Sequence, residues 1–204
     1  MGEIGLQVSS IRDFLQTEKD MRRSFLRVAQ MGYRTVQLQW LGEKIPPAAA
    51  AEALRHAGLT SVSTQDFYET VKERLSYFVD LNHACGSRIL CFSGIPEVYR
   101  TSQEGCLFFA GEIRKLEKEL APERLVLAFH PRSQEFVRLN GRTAAEWVME
   151  NVPETVQMGL DLYHVWKAGL SMEEWIRKYQ GRQEFVHFKD CKKLPDGQEV
   201  LVPV

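Results

Sequence analysis

His130, Asp161 and His187 each stand at or near the carboxyl end of a short apolar run: LVLAFH (125–130), VQMGLD (156–161) and EFVHFK (184–189). Imidazole and carboxylate together suit a divalent metal ion such as Mn, Zn, Mg or Co, with open positions left for the hydroxyl or carbonyl oxygens of a substrate. Taken singly, each residue has a plainer use. Asp161 can cap a following helix, His164 in DLYHVWKAG (161–169) can bond a backbone carbonyl on the same turn, and a lone strand histidine is commonly a packed core residue. Their joint arrival at successive strand ends is what the single explanations leave uncovered. Cys191, just beyond HFKD (187–190), reads as a bystander thiol.

The elements that must position them recur in a regular order. Runs at 4–8, 35–40, 59–64, 88–93, 125–130, 156–161 and 184–189 make seven candidate strands, continuous in hydrophobicity as in a parallel sheet covered on both faces. Between them lie helical patterns. Residues 17–32 space Met21, Phe25, Val28 and Met31 by three and four and stop at Gly32; similar segments run over 47–58, 70–86, 101–120, 143–151 and 171–181. Thr143 and Ser171 each precede a Glu by three residues, the pattern of a capping box. In 101–120, Ile113, Leu116 and Leu120 form the inward stripe. Trp147, Trp166 and Trp175 sit at positions that suit packing against a barrel.

Strict strand–helix alternation yields a closed (β/α)8 barrel or an open doubly wound sheet. The turn after the first strand reads QVSSIRDF (7–14), without the GxGxxG of a dinucleotide-binding sheet, and no GxxxxGK[ST] occurs. With the polar candidates at strand carboxyl ends, where barrel active sites assemble, a TIM-type barrel in a single domain over 1–204 is expected.

Composition narrows the function classes. The chain has 204 residues, 44% hydrophobic and 26% charged, and a formal net charge of -1 with no basic stripe, which argues against a nucleic-acid partner. Acids and arginines come too early in the first twenty residues for a signal peptide, and no apolar run is long enough to span a bilayer. Cys85, Cys91, Cys106 and Cys191 form no CxxC or zinc-knuckle spacing, so reduced thiols and a cytoplasmic location are expected.

GLDLYHVWKAG (159–169) followed by GRQEFVHFKD (181–190) resembles the xylose-isomerase-like TIM-barrel superfamily. That is the sugar phosphate isomerase/epimerase group, which includes inosose dehydratase, hydroxypyruvate isomerase and tagatose epimerase relatives, with endonuclease IV more distant. IGLQVSSIRDFL (4–15), MGYRTVQL (31–38) and FHPRSQEF (129–136) extend the resemblance along the chain. It implies a metal-dependent enzyme acting on a small polyhydroxy or sugar-like substrate, with Asp161 and His187 as metal ligands and His164 as a neighbour that contacts substrate. Lys189 or Lys193 would face an anionic or polyhydroxy group. Trp40, right after the second strand, could line a pocket as a sugar-stacking platform.

Two departures qualify the likeness. Epimerases of the group carry Glu where this chain has His130, so His130 is a candidate ligand or base and Glu135, the nearest acid, a candidate base if it points inward rather than to solvent. The sequence also stops at QEVLVPV (198–204), before the eighth strand and last helix of a complete barrel. A fragment of a longer chain, or an open edge closed by self-association, is therefore expected. The implied reaction is metal-assisted enolisation beside a carbonyl. The competing reading is a non-catalytic or degenerate barrel that binds a sugar or a partner protein. A nuclease would require more His and Glu ligands than the five histidines here offer, and a DNA-binding surface.

Overall fold

Thr17 caps the first helix, its hydroxyl accepting the amide of Asp20 at 3.1 Å. The computed structural model in which this is seen describes residues 3–202, in two units: residues 3–92 with 118–127, and residues 93–117 with 128–202.

The first unit runs β1 (Leu6–Gln7), α1 (Glu18–Gln30), β2 (Thr35–Gln39), α2 (Pro47–Ala57), β3 (Thr60–Phe67), α3 (Tyr68–Glu73) and α4 (Leu75–Cys85). β4 (Ile89–Ser93) then carries the chain into the second unit. β1 and β2 pair in parallel through Leu6 and Val36, and β2 continues the pattern with β3. Side chains alternate across a strand. Val36 and Leu38 accordingly join one buried cluster with Met21, Phe25 and Val28 of α1 and Ala50 and Leu54 of α2. The opposite face is polar, contrary to the continuous hydrophobicity expected: Gln37 is bonded to Gln7 at 3.0 Å and to Ser63 at 2.7 Å. The single helix predicted over 70–86 is two, because Arg74 (φ -118°, ψ 33°) leaves helical geometry between them.

The second unit continues with α5 (Glu97–Arg100), the greater part of α6 (Gln103–Leu120), β5 (Val126–His130), β6 (Arg138–Leu139), β7 (Arg142–Thr143), α7 (Ala144–Met149), β8 (Gln157–Asp161), α8 (Leu162–Lys167) and α9 (Met172–Lys178). β9 (Phe185–His187), β10 (Asp190–Lys193) and β11 (Glu199–Val202) follow. β5 pairs in parallel with β8, and β8 with β9. Ile113, Leu116 and Leu120 of α6 are buried, as their spacing predicts.

Two hairpins interrupt the alternation. Asn140 (φ 50°) and Gly141 (φ 85°) both take the left-handed region that a two-residue Asn-Gly turn requires, joining β6 to β7. The seventh predicted strand stops at His187, and Asp190–Lys193 instead pairs antiparallel with Glu199–Val202. Leaving the hairpin strands aside, seven parallel strands with intervening helices follow one another in chain order, a (β/α)8 barrel topology with seven of its strands among the described residues.

The Thr143 capping box forms in full, with Thr143 Oγ1 accepting the Glu146 amide at 3.1 Å and Glu146 Oε2 accepting the Thr143 amide at 2.7 Å. Thr143→Ala should lower stability by about 1 kcal/mol. Urea unfolding followed by circular dichroism checks this: the midpoint falls while the slope stays unchanged.

Candidate functional site

The parallel register of β8 and β9 sets Asp161 directly beside His187, and β5 brings His130 to the same strand ends. All three belong to the second unit. Asp161 is fully buried and caps α8, its Oδ1 accepting the His164 amide at 3.3 Å. The cap therefore survives as the plain reading proposes, but it engages one oxygen.

The other oxygen, Oδ2, is ringed by nitrogens. Lys189 Nζ lies at 2.6 Å, His130 Nε2 at 3.3 Å, His187 Nδ1 at 3.6 Å and His164 Nε2 at 3.9 Å. One ligand atom from each of His130, Asp161 and His164 falls within 4.8 Å of the others, a spacing that can hold a metal ion. His164 falls in that group, where sequence reasoning made it a substrate-contacting neighbour, and His187, expected as a ligand, does not. Ser93, at the end of β4, holds His130 from behind, its Oγ 3.0 Å from Nδ1. That contact turns Nε2 toward the carboxylate. Sequence reasoning passed over Ser93, whose one signal was its place at a strand's carboxyl end.

Burial by itself would push the Asp161 carboxyl up. Hydrogen bonds from His130 and His187, with the Lys189 ammonium, outweigh it and hold the group far below the usual carboxylate range. Burial drives His130 and His164 down to about 4 and lowers His187 as well. At neutral pH the site therefore presents neutral imidazoles around a carboxylate, the protonation states a metal needs and a base requires.

The remaining candidates are placed differently. Glu135 does not face solvent: it is fully buried in a 3-10 turn (Ser133–Phe136), and its two oxygens accept the amides of Arg132 at 2.7 Å and Ile95 at 3.3 Å. Gly94, between Ser93 and Ile95, has φ 77°, and a Cβ there would meet the Arg132 guanidinium at 2.6 Å, so the turn needs glycine. Trp40 lies in the first unit with φ 55°, its ring tilted on Phe67 at 5.8 Å beneath the Arg12 guanidinium. Lys193 is exposed on β10 and, with Lys189, lines a groove of about 610 Å³. Tyr163, Trp166, Met172 and Phe188 supply the groove's apolar wall. Trp166 is 44% exposed rather than packed, because the short α8 that Asp161 caps turns it toward this groove; Trp175 is buried as expected.

The strand order is that of a TIM barrel, and solved structures share the fold. A sugar phosphate isomerase/epimerase from Parabacteroides distasonis superposes with a TM-score of 0.78 at 17% identity, covering 95% of this chain and 77% of that one. L-ribulose 3-epimerase gives 0.70 at 12% identity, with 92% and 69% covered. The probable 3-DHS dehydratase AsbF from Bacillus anthracis gives 0.69 at 14% identity, with 94% and 74% covered. No protein-family model matches the chain, and no curated protein does.

Proposed function

We propose that this protein is a metal-dependent enzyme of the isomerase/epimerase type that enolises a small polyhydroxy substrate next to its carbonyl. The observation that carries the reading is the convergence of three imidazoles and an ammonium on Asp161 Oδ2. Neighbours in fold named as a sugar phosphate isomerase/epimerase and an L-ribulose 3-epimerase support the reaction class.

The donors fit a divalent ion. His130, Asp161 and His164 offer ligand atoms at suitable mutual distances, and among the described residues the buried His164 Nδ1 has no hydrogen-bond partner to fix the ring otherwise. His187 lies outside that group, its Nδ1 3.6 Å from Asp161 Oδ2. When bound, such an ion supplies Lewis acidity to vicinal substrate oxygens. Lys189 both touches Asp161 and lines the groove, so its ammonium can donate to a substrate oxygen as negative charge develops there. A neutral imidazole not engaged as ligand can take the proton from the adjacent carbon.

Proton exchange tests this directly. The protein, loaded in turn with Zn, Mn, Mg or Co, is incubated with aldoses, ketoses and inososes in deuterium oxide, and proton NMR follows loss of signal at the carbon beside the carbonyl. Exchange that disappears in Asp161→Asn is expected. One observation favours a second reading, a barrel that binds a polyol without turning it over: Glu135 is committed to backbone amides, leaving Asp161 as the carboxylate of the cluster. Metal and sugar binding with no exchange on any substrate would decide for it.

Ser93→Ala removes the partner that orients His130. Metal affinity should fall by about 10-fold, within the range for outer-shell partners, as read by equilibrium dialysis against a chromophoric chelator.

A further inference from the structure

We propose that this site selects Zn²⁺ or Co²⁺ over Mn²⁺ and Mg²⁺, and that His130 is the residue that sets the choice. The inference rests on the metal-binding reading above and narrows it to a class of ion through the donor atoms this chain supplies.

The cluster around Asp161 Oδ2 is nitrogen-rich. His130 Nε2, His187 Nδ1 and His164 Nε2 surround it at 3.3, 3.6 and 3.9 Å. Glu135, the acid nearest His130 in sequence, has its oxygens on the amides of Arg132 and Ile95 and is not free to add a second carboxylate. Imidazole suits zinc and cobalt, whereas magnesium and manganese favour carboxylate, carbonyl and water oxygens.

The surroundings sharpen that preference. His130 is 3% exposed and held by Ser93, so its ring cannot turn away to make room for a ligand water. Asp161 is fully buried, which leaves little space for the hydration shell that Mg²⁺ gives up reluctantly. Any ion must also displace the Lys189 ammonium, 2.6 Å from the same oxygen. Bonds to several imidazoles offset that loss for zinc or cobalt; magnesium has no comparable gain.

Most mixed sites favour zinc over manganese to some degree, so the decisive quantity is the change that His130 controls. Apo protein is dialysed against an equimolar mixture of zinc, cobalt, manganese and magnesium, and bound ions are counted by mass spectrometry. Wild type should retain zinc or cobalt, and His130→Glu should lower the zinc-to-manganese ratio by about 10-fold or more. The visible spectrum of the cobalt-loaded wild type gives an independent reading should the Glu variant not fold: four-coordinate binding by imidazoles and carboxylate predicts intense visible bands, and His130→Gln should weaken them. An unchanged ratio in His130→Glu, or cobalt bands as intense in His130→Gln as in the wild type, overturns the inference while leaving metal binding intact. Failure to bind any of the four ions overturns the metal reading and this inference with it.

Discussion

Asp161→Asn should reduce divalent-metal affinity by more than about 100-fold, beyond the usual effect of losing an outer-shell partner. The side chain keeps its size, and its remaining oxygen can still accept the His164 amide that caps α8. What it loses is the charge on Oδ2, the oxygen on which Lys189, His130, His187 and His164 converge. A neutral amide offers a poorer ligand and half of its polar end is a donor, which repels the ammonium and any cation. Isothermal titration with zinc, alongside far-UV circular dichroism to establish that the fold persists, checks the result. A folded variant that still binds zinc as the wild type does would place the metal elsewhere. Proton exchange, if present in the wild type, should vanish in the same variant.

Glu135→Ala should cost about 2–6 kcal/mol of stability, since each buried backbone donor left unpaired costs roughly 1–3 kcal/mol and the change leaves two without a partner. The donors are the amides of Arg132 and Ile95, which Glu135 joins across the turn below His130. For a chain of this length that is a fall in midpoint temperature of about 2–4 °C per kcal/mol. Urea unfolding measures it, and a loss below about 1 kcal/mol would mean that water replaces the carboxylate without penalty.

A pH series adds a sign. Burial pushes the Glu135 carboxyl up from its ordinary value of 4.5, against the two amides and the Arg132 charge, which pull it down. The folded protein therefore binds this proton more tightly than the unfolded chain does. The contribution is fully present below pH 4.5 and is lost as pH rises through the raised folded value. The stability of the wild type relative to Glu135→Gln should accordingly decline from about pH 4.5 upward.

The groove's wall of Tyr163, Trp166, Met172 and Phe188 is apolar, and Lys189 and Lys193 sit on the same surface. Trp40, in the first unit, packs its ring against Phe67 and the Arg12 guanidinium.

What the amino-acid sequence determined by itself was local and periodic. Apolar runs carrying Asp161 and His187, helix caps at Thr143 and Ser171, and the strand–helix order that makes a barrel all follow from spacings of two to four residues, where neighbours in the chain are neighbours in space. The tertiary structure decided which distant groups meet. Ser93 finds His130 from 37 residues away, Glu135 reaches back 40 residues to Ile95, and Lys189 crosses 28 to Asp161. Such pairings depend on how strands stack side by side and on which oxygens burial leaves in need of a donor. No pattern of neighbouring residues carries that information, which is why Glu135 reads as a possible base in the sequence and is a buried brace in the fold.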